Sequence, residues 1–137
     1  MAKTRKTWVY APARARKSQV PGDFQEEAQA KADKLIESVL KPEHVKQPPK
    51  DAQFNYIVDI YAKWHGSYFY FCATYACPGP HALAPSFESK FARLEYVGNR
   101  RFNLSYMRHT GKWVQIYPDL TLDECLKAVR SDPAFMP

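Results

Sequence analysis

Residues 91–117 read FARLEYVGNRRFNLSYMRHTGKWVQIY, and the spacing of their apolar side chains decides the architecture. Ala92, Leu94 and Tyr96 alternate with polar neighbours, as do Phe102, Leu104 and Tyr106, the period of two that marks a strand with one apolar face. Both apolar sets occupy even positions. A two-residue turn at Gly98-Asn99 would set even residues opposite odd ones and throw one set to the wrong face. A three-residue turn from Gly98 to Arg100 keeps both sets inward. The same reasoning applies at His109-Thr110-Gly111, where glycine fills the place that wants a left-handed residue. It puts Val114 and Ile116 beside Leu104 and Tyr106 and sends Trp113, Gln115 and Tyr117 to the opposite face.

Toward the N-terminus, residues 53–76 hold Phe54, Tyr56, Tyr61, Trp64, Tyr68, Phe69, Tyr70, Phe71 and Tyr75. Such density of aromatic and β-branched residues predicts two strands joined at Trp64-His65-Gly66. In the first, Phe54, Tyr56, Val58, Ile60 and Ala62 share a face. The second is apolar on both faces, which suits a central or covered strand. Before them, Asp23 and Glu26 form a D-x-x-E capping signal, and Phe24, Ala28, Ala32, Leu35, Ile36, Val39 and Leu40 recur at helical spacing until Lys41-Pro42. At the other end, Thr121-Leu122-Asp123-Glu124 is a capping box that opens a helix carrying Leu122, Cys125, Leu126 and Val129 on one face. Asp132-Pro133 ends it. The fold class is α+β, a five-stranded antiparallel meander sheet with an N-terminal and a C-terminal helix.

The charge is segregated. The 137 residues carry 20 Lys+Arg and 14 Asp+Glu, a formal net charge of +6. Lys3, Arg5, Lys6, Arg14, Arg16 and Lys17 account for all of it, because no acidic residue stands among the first 20 and the rest of the chain is balanced. Residues 1–22 therefore read as a flexible basic arm and residues 23–137 as a single domain, a usual size for one core. Trp8-Val9-Tyr10 is the arm's one apolar island, an anchor onto this domain or onto a partner. No run approaches the roughly 18 to 20 apolar residues of a membrane span, so no membrane partner is expected. Nor does the N-terminus carry the apolar run of a secretory signal, and the expected compartment is the cytoplasm. Cys72, Cys77 and Cys125, an odd count, fit free thiols.

Three chemistries have the residue types they need. His65, Cys72, Cys77 and His81 are ligands that zinc accepts, but the spacing lacks the tight knuckles of structural zinc sites, so no metal or cofactor is expected. Cys77 with His81 or His109 supplies a nucleophile and a base without any recognised catalytic motif, which leaves an enzyme less favoured than a binding role. The arm's six cations suit phosphate neutralisation. Arg93, Arg101 and Trp113 fall on the sheet face opposite the apolar set, where aromatics among cations stack and hold single strands. A solvated mixed-charge surface is the plainer account of the same residues. Nucleic acid or a ribonucleoprotein is the expected partner, and a homo-oligomer paired through the aromatic strands is the alternative.

Arg93-Leu94-Glu95-Tyr96, Phe102-Asn103-Leu104-Ser105-Tyr106, Arg108, Lys112-Trp113 and Asp132-Pro133 together resemble a small uncharacterised bacterial domain family of unknown function. The resemblance covers about positions 90–135, in the C-terminal half. It implies bacterial origin and a compact α+β fold, and it supplies no catalytic residue.

Overall fold

The computed structural model describes residues 19–47, 54–80 and 82–137. The arm cations Lys3, Arg5, Lys6, Arg14, Arg16 and Lys17, the Trp8-Val9-Tyr10 island and His81 lie outside the described residues. Helix α1 comprises Gly22–Leu35, a π turn at Ile36–Leu40 and a last turn at Lys41–His44. Strands β1 (Tyr56–His65), β2 (Tyr68–Ala76), β3 (Ser86–Gly98), β4 (Arg101–Met107) and β5 (Trp113–Thr121) come next, and helix α2 (Leu122–Ser131) closes the order with a 3-10 turn at Pro133–Phe135. All strand pairs are antiparallel and neighbours in sequence are neighbours in the sheet, β1-β2-β3-β4-β5, as the sequence predicts. Among the described residues no helix is long and apolar enough to cross a membrane.

Helix α1 runs past the point where proline should stop it. Phe24, Ala28, Ala32, Ile36 and Leu40 are buried, each four residues from the last. In a regular helix of 3.6 residues per turn such a row drifts around the axis. At Ile36–Leu40 the Lys41 amide donates to the Ile36 carbonyl, five residues back, and the wider turn takes up the extra residue. It also places Pro42 at the start of the last turn, where its missing N–H and rigid ring do least harm. Lys41 then reaches Glu37 at 2.6 Å and Asp59 at 3.3 Å, tying the helix to β1. At the other end the expected D-x-x-E box does not form. The helix starts one residue earlier, at Gly22 after Pro21, and the Asp23 carboxylate accepts from the Phe24 amide.

The register keeps Ala92, Leu94 and Tyr96 opposite Tyr106, Leu104 and Phe102. Parity is preserved by a different device from the three-residue turn expected at Gly98 to Arg100. Asn99 and Arg100 form a two-residue turn with φ of 53° and 58°, and Val97 is the additional residue of a bulge before it. The second turn is as expected: Gly111 has φ 86° and the Arg108 amide donates to the Lys112 carbonyl. Two further bulges reverse local expectations. Val58 drops out of the β1 pairing, so Ile57 faces the core and Val58 is exposed. In β5 the pairing slips between Leu104 and Ser105, so Tyr117 stands opposite Leu104 although Ile116 still packs against the core as expected. The Tyr117 hydroxyl donates to Asp132 at the end of α2.

Both helices pack on one face of the sheet. Phe24 of α1 stacks on Phe102 with ring centroids 5.6 Å apart, Tyr96 meets the same ring edge-on at 5.8 Å, and Trp64 stacks on Phe69 at 4.6 Å. The Arg100 guanidinium lies 4.4 Å from the Phe24 ring centre and makes two hydrogen bonds to Glu27, fastening the β3–β4 tip to α1. The capping box of α2 is complete: Thr121 accepts from the Glu124 amide, and Glu124 accepts from the Thr121 amide.

Phe102 is fully buried, so Phe102→Ala is expected to cost about 3–5 kcal/mol in urea denaturation, and Thr121→Ala about 1 kcal/mol. The Tyr117–Asp132 bond holds the carboxyl below its ordinary value and the phenol above its own. Its contribution is therefore present through neutral pH, is lost in acid as Asp132 protonates, and is lost in alkali as Tyr117 ionises. Tyr117→Phe should lower the melting temperature at pH 7 and flatten both limbs of the stability profile.

Candidate nucleic-acid interface

Alternation along each strand sends a second set of side chains to the face that the helices leave open. The pairing aligns Tyr68 with Glu95 and Asn103, and Tyr70 with Arg93, Ser105 and Gln115. Tyr61, Cys72 and Lys90 form the adjacent row. Trp113 pairs with Met107 at the start of β5. Among the described residues no helix crosses this face.

Its rings lie across the sheet. Tyr70 on β2 and Trp113 on β5 are separated by two strands, roughly 14 Å at the usual strand spacing, yet their ring centroids are 5.9 Å apart. Tyr68 and Tyr70 are 6.0 Å apart. The Tyr70 and Trp113 rings must reach over β3 and β4, and the residues beneath them lose their water: Ser105 is 1% exposed and Cys72 is fully buried. Burial pushes the Cys72 thiol up, against the opposing pull of Lys63 and Lys90.

Arg93 sits in the middle of this layer. Its guanidinium lies 4.9 Å from the Tyr68 ring centre and 5.1 Å from that of Trp113, so it is held between two aromatic rings. Its Nε is buried and has no hydrogen-bond partner among the described residues. No carboxylate lies within 4.0 Å of it among those residues either. The neighbouring corner is different, because Lys63 at 2.9 Å and Lys90 at 3.4 Å share Glu88, to which the Tyr61 hydroxyl also donates. Lys90 also lies 5.4 Å from the Tyr70 ring. Arg93, like Arg101 further along the same face, thus has no carboxylate within 4.0 Å among the described residues, while Glu95 stands two residues from it on β3.

Of the residues expected from sequence, Arg93 and Trp113 are brought into contact. Arg101 is on the same face but stands four residues from Ser105 along β4, roughly 13 Å from the Arg93 row. It donates to the Asp119 carbonyl at 3.2 Å. Tyr68, Tyr70 and Lys90 complete the layer and were not picked out from sequence. The signal was present in the alternation Tyr68-Phe69-Tyr70-Phe71, where the phenols take one face and the phenylalanines the other.

The residues of the other two candidate chemistries, His81 aside, lie among the described residues. His65 and Cys77 stand at opposite ends of the β1–β2 hairpin, since His65 pairs with Tyr68 and Tyr56 with Ala76. Among the described residues no three His, Cys, Asp or Glu side chains are grouped as metal ligands. His109 is exposed at the β4–β5 tip, and Cys77 is half-buried just past β2, its amide bonded to the Pro85 carbonyl at 2.8 Å.

The model of the DUF3024 family, a domain of unknown function, matches residues 21–137. The chain belongs to this family, and the likeness extends well beyond the stretch at 90–135 that first indicated it. No curated protein and no solved structure matches the chain.

Burial sorts the thiols. Cys125 is fully buried with its pKa pushed up to about 12, and Cys72 is buried under the tyrosines. A disulfide reagent is expected to modify Cys77 in the native protein and to reach Cys72 and Cys125 only after denaturation, which peptide mapping reads directly.

Proposed function

We propose that this protein is a cytoplasmic, non-enzymatic binding module that holds single-stranded nucleic acid, free or within a ribonucleoprotein, on the open face of its sheet. The observation that carries the reading is the Tyr68–Arg93–Trp113 layer. With Tyr70 it sets three rings on strands that no helix covers among the described residues, and a guanidinium without a carboxylate partner sits among them. Aromatic rings offer a π-surface to any unpaired base, and the guanidinium offers N–H donors and charge to a phosphate beside it. Arg101, at the far end of β4, extends the cationic track. The basic arm adds the long-range attraction, because six cations without a single carboxylate act on a polyanion before any contact is made.

The two contributions separate experimentally. With a labelled single strand of about 20 nucleotides, removal of residues 1–20 should reduce the slope of log K against log salt by up to about 4, from six cations at roughly 0.7 each. Trp113→Ala should weaken binding by about 1–3 kcal/mol while leaving that slope nearly unchanged, and Arg93→Ala should weaken it similarly and lower the slope by about 0.7. If neither substitution alters affinity, the face is not the site. A dimer that Trp113→Asp dissociates, in a protein that retains no oligonucleotide, would assign the face to self-association.

A further inference from the structure

A second surface lies between the two helices, on the opposite side of the molecule from the aromatic face. Residues of both helices form a valley of about 350 Å³: Leu35 and Val39 of α1 with Leu126 of α2 supply its aliphatic floor. All three are half-buried, whereas Ala32, Ile36, Cys125 and Val129 turn fully into the core. Lys31, Lys34, Lys127 and Arg130 ring this floor, and Asp123 is the single carboxylate among the lining residues. That carboxylate is already engaged with Lys31 at 3.2 Å. Among the described residues, Lys34, Lys127 and Arg130 have no carboxylate within 4.0 Å.

Neither of the nearby acids Glu37 and Asp33 lies within 4.0 Å of Lys34, Lys127 or Arg130. Glu37 is held by Lys41 at 2.6 Å, and Asp33 accepts from Gln29 at 2.9 Å. The valley therefore combines unneutralised positive charge at its rim with aliphatic surface at its floor. A nucleic-acid strand finds no ring to stack on there. An α-helix fits the chemistry better, since the groove between two packed helices accepts the ridge of a third, and Leu35 and Val39 are one turn apart on such a groove. We infer that this valley docks an acidic amphipathic helix of a partner protein, its apolar stripe on Leu35, Val39 and Leu126 and its carboxylates toward Lys34, Lys127 and Arg130. The inference is independent of the aromatic face and of the arm.

The test uses the full chain and a designed helical peptide of 16 residues, with leucines at positions 2, 6, 9 and 13, glutamates flanking that stripe and alanine and glutamine elsewhere, followed by fluorescence anisotropy. Binding is expected in the micromolar range and should weaken by about tenfold or more in the Lys127→Glu/Arg130→Glu variant. Val39→Asp should weaken it similarly with the charges intact, and Lys34→Glu serves if the double variant fails to fold. Thermal melts confirm that each variant used is folded. The inference is overturned if no binding occurs below about 1 mM, or if a peptide of the same composition with its leucines scattered around the helix binds equally well. It is also overturned if the charge reversals lower oligonucleotide affinity and leave peptide affinity unchanged, which would make the valley a nucleic-acid surface.

Discussion

Phe102 is the contact on which the rest of this fold hangs. Its ring receives Phe24 from α1, Tyr96 from β3 and Trp64 from β1, with centroids 5.6, 5.8 and 6.3 Å away. Three separate chain segments therefore need Phe102 on the helix side of the sheet. That requirement fixes the register of β3 against β4, because a slip of one residue would turn Phe102 and Leu104 to water together. It also fixes where α1 begins, since Phe24 must arrive within the first turn. Arg100, at the tip of the same hairpin, closes over Phe24 and bonds to Glu27. The two-residue turn between β3 and β4 and the start of the first helix are thus held by one cluster.

Placing both helices on that side has a consequence for the other. A sheet face without a covering layer exposes its backbone and the stems of its side chains, and this one shields itself with what its own strands carry. Tyr70 and Trp113 meet over β3 and β4, and Ser105 beneath them is buried although it belongs to the outward set. The arrangement is costly at one atom, the Arg93 Nε, because a desolvated donor without a partner forfeits its bonds to water. Stacking between two rings offsets part of that cost.

The sequence was most legible where one rule acted alone. Alternation over 92–96 and 102–106 gave the inward face, the Thr121-x-x-Glu124 box gave the start of α2, and Gly111 gave the second turn. It was least legible where the chain departs from a period by one residue. Val58, Val97 and the slip between Leu104 and Ser105 each mark a residue that periodicity cannot announce; at Val58 and Tyr117 it changes which side chain faces the core, whereas at Val97 it restores the parity that a two-residue turn would break. The π turn before Pro42 belongs to the same class, an extra residue that lets a row spaced by fours stay on one side of α1. For the aromatic face, Arg93 and Trp113 could be assigned to one side from parity. Their contact could not, because it depends on rings that span two intervening strands.

Charge balance is the property that composition describes least well. Outside the first 20 residues the chain is neutral, yet neutrality is a sum over sites that do different things. Glu124 is occupied by the cap of α2, and Asp132 by Tyr117 and the Ala134 amide. Glu27 holds Arg100, Glu37 holds Lys41, and Glu88 holds Lys63 and Lys90. These carboxylates serve helix ends and the fastening of one element to another, and among the cations left without a carboxylate within 4.0 Å in the described residues are Arg93 on the aromatic face and Lys34, Lys127 and Arg130 in the valley. At a separation of more than a Debye length, about 8–10 Å at ordinary salt, neither site feels the carboxylates on the far side of the domain. A neutral body can therefore present two locally cationic surfaces, one floored with aromatic rings and the other with aliphatic side chains.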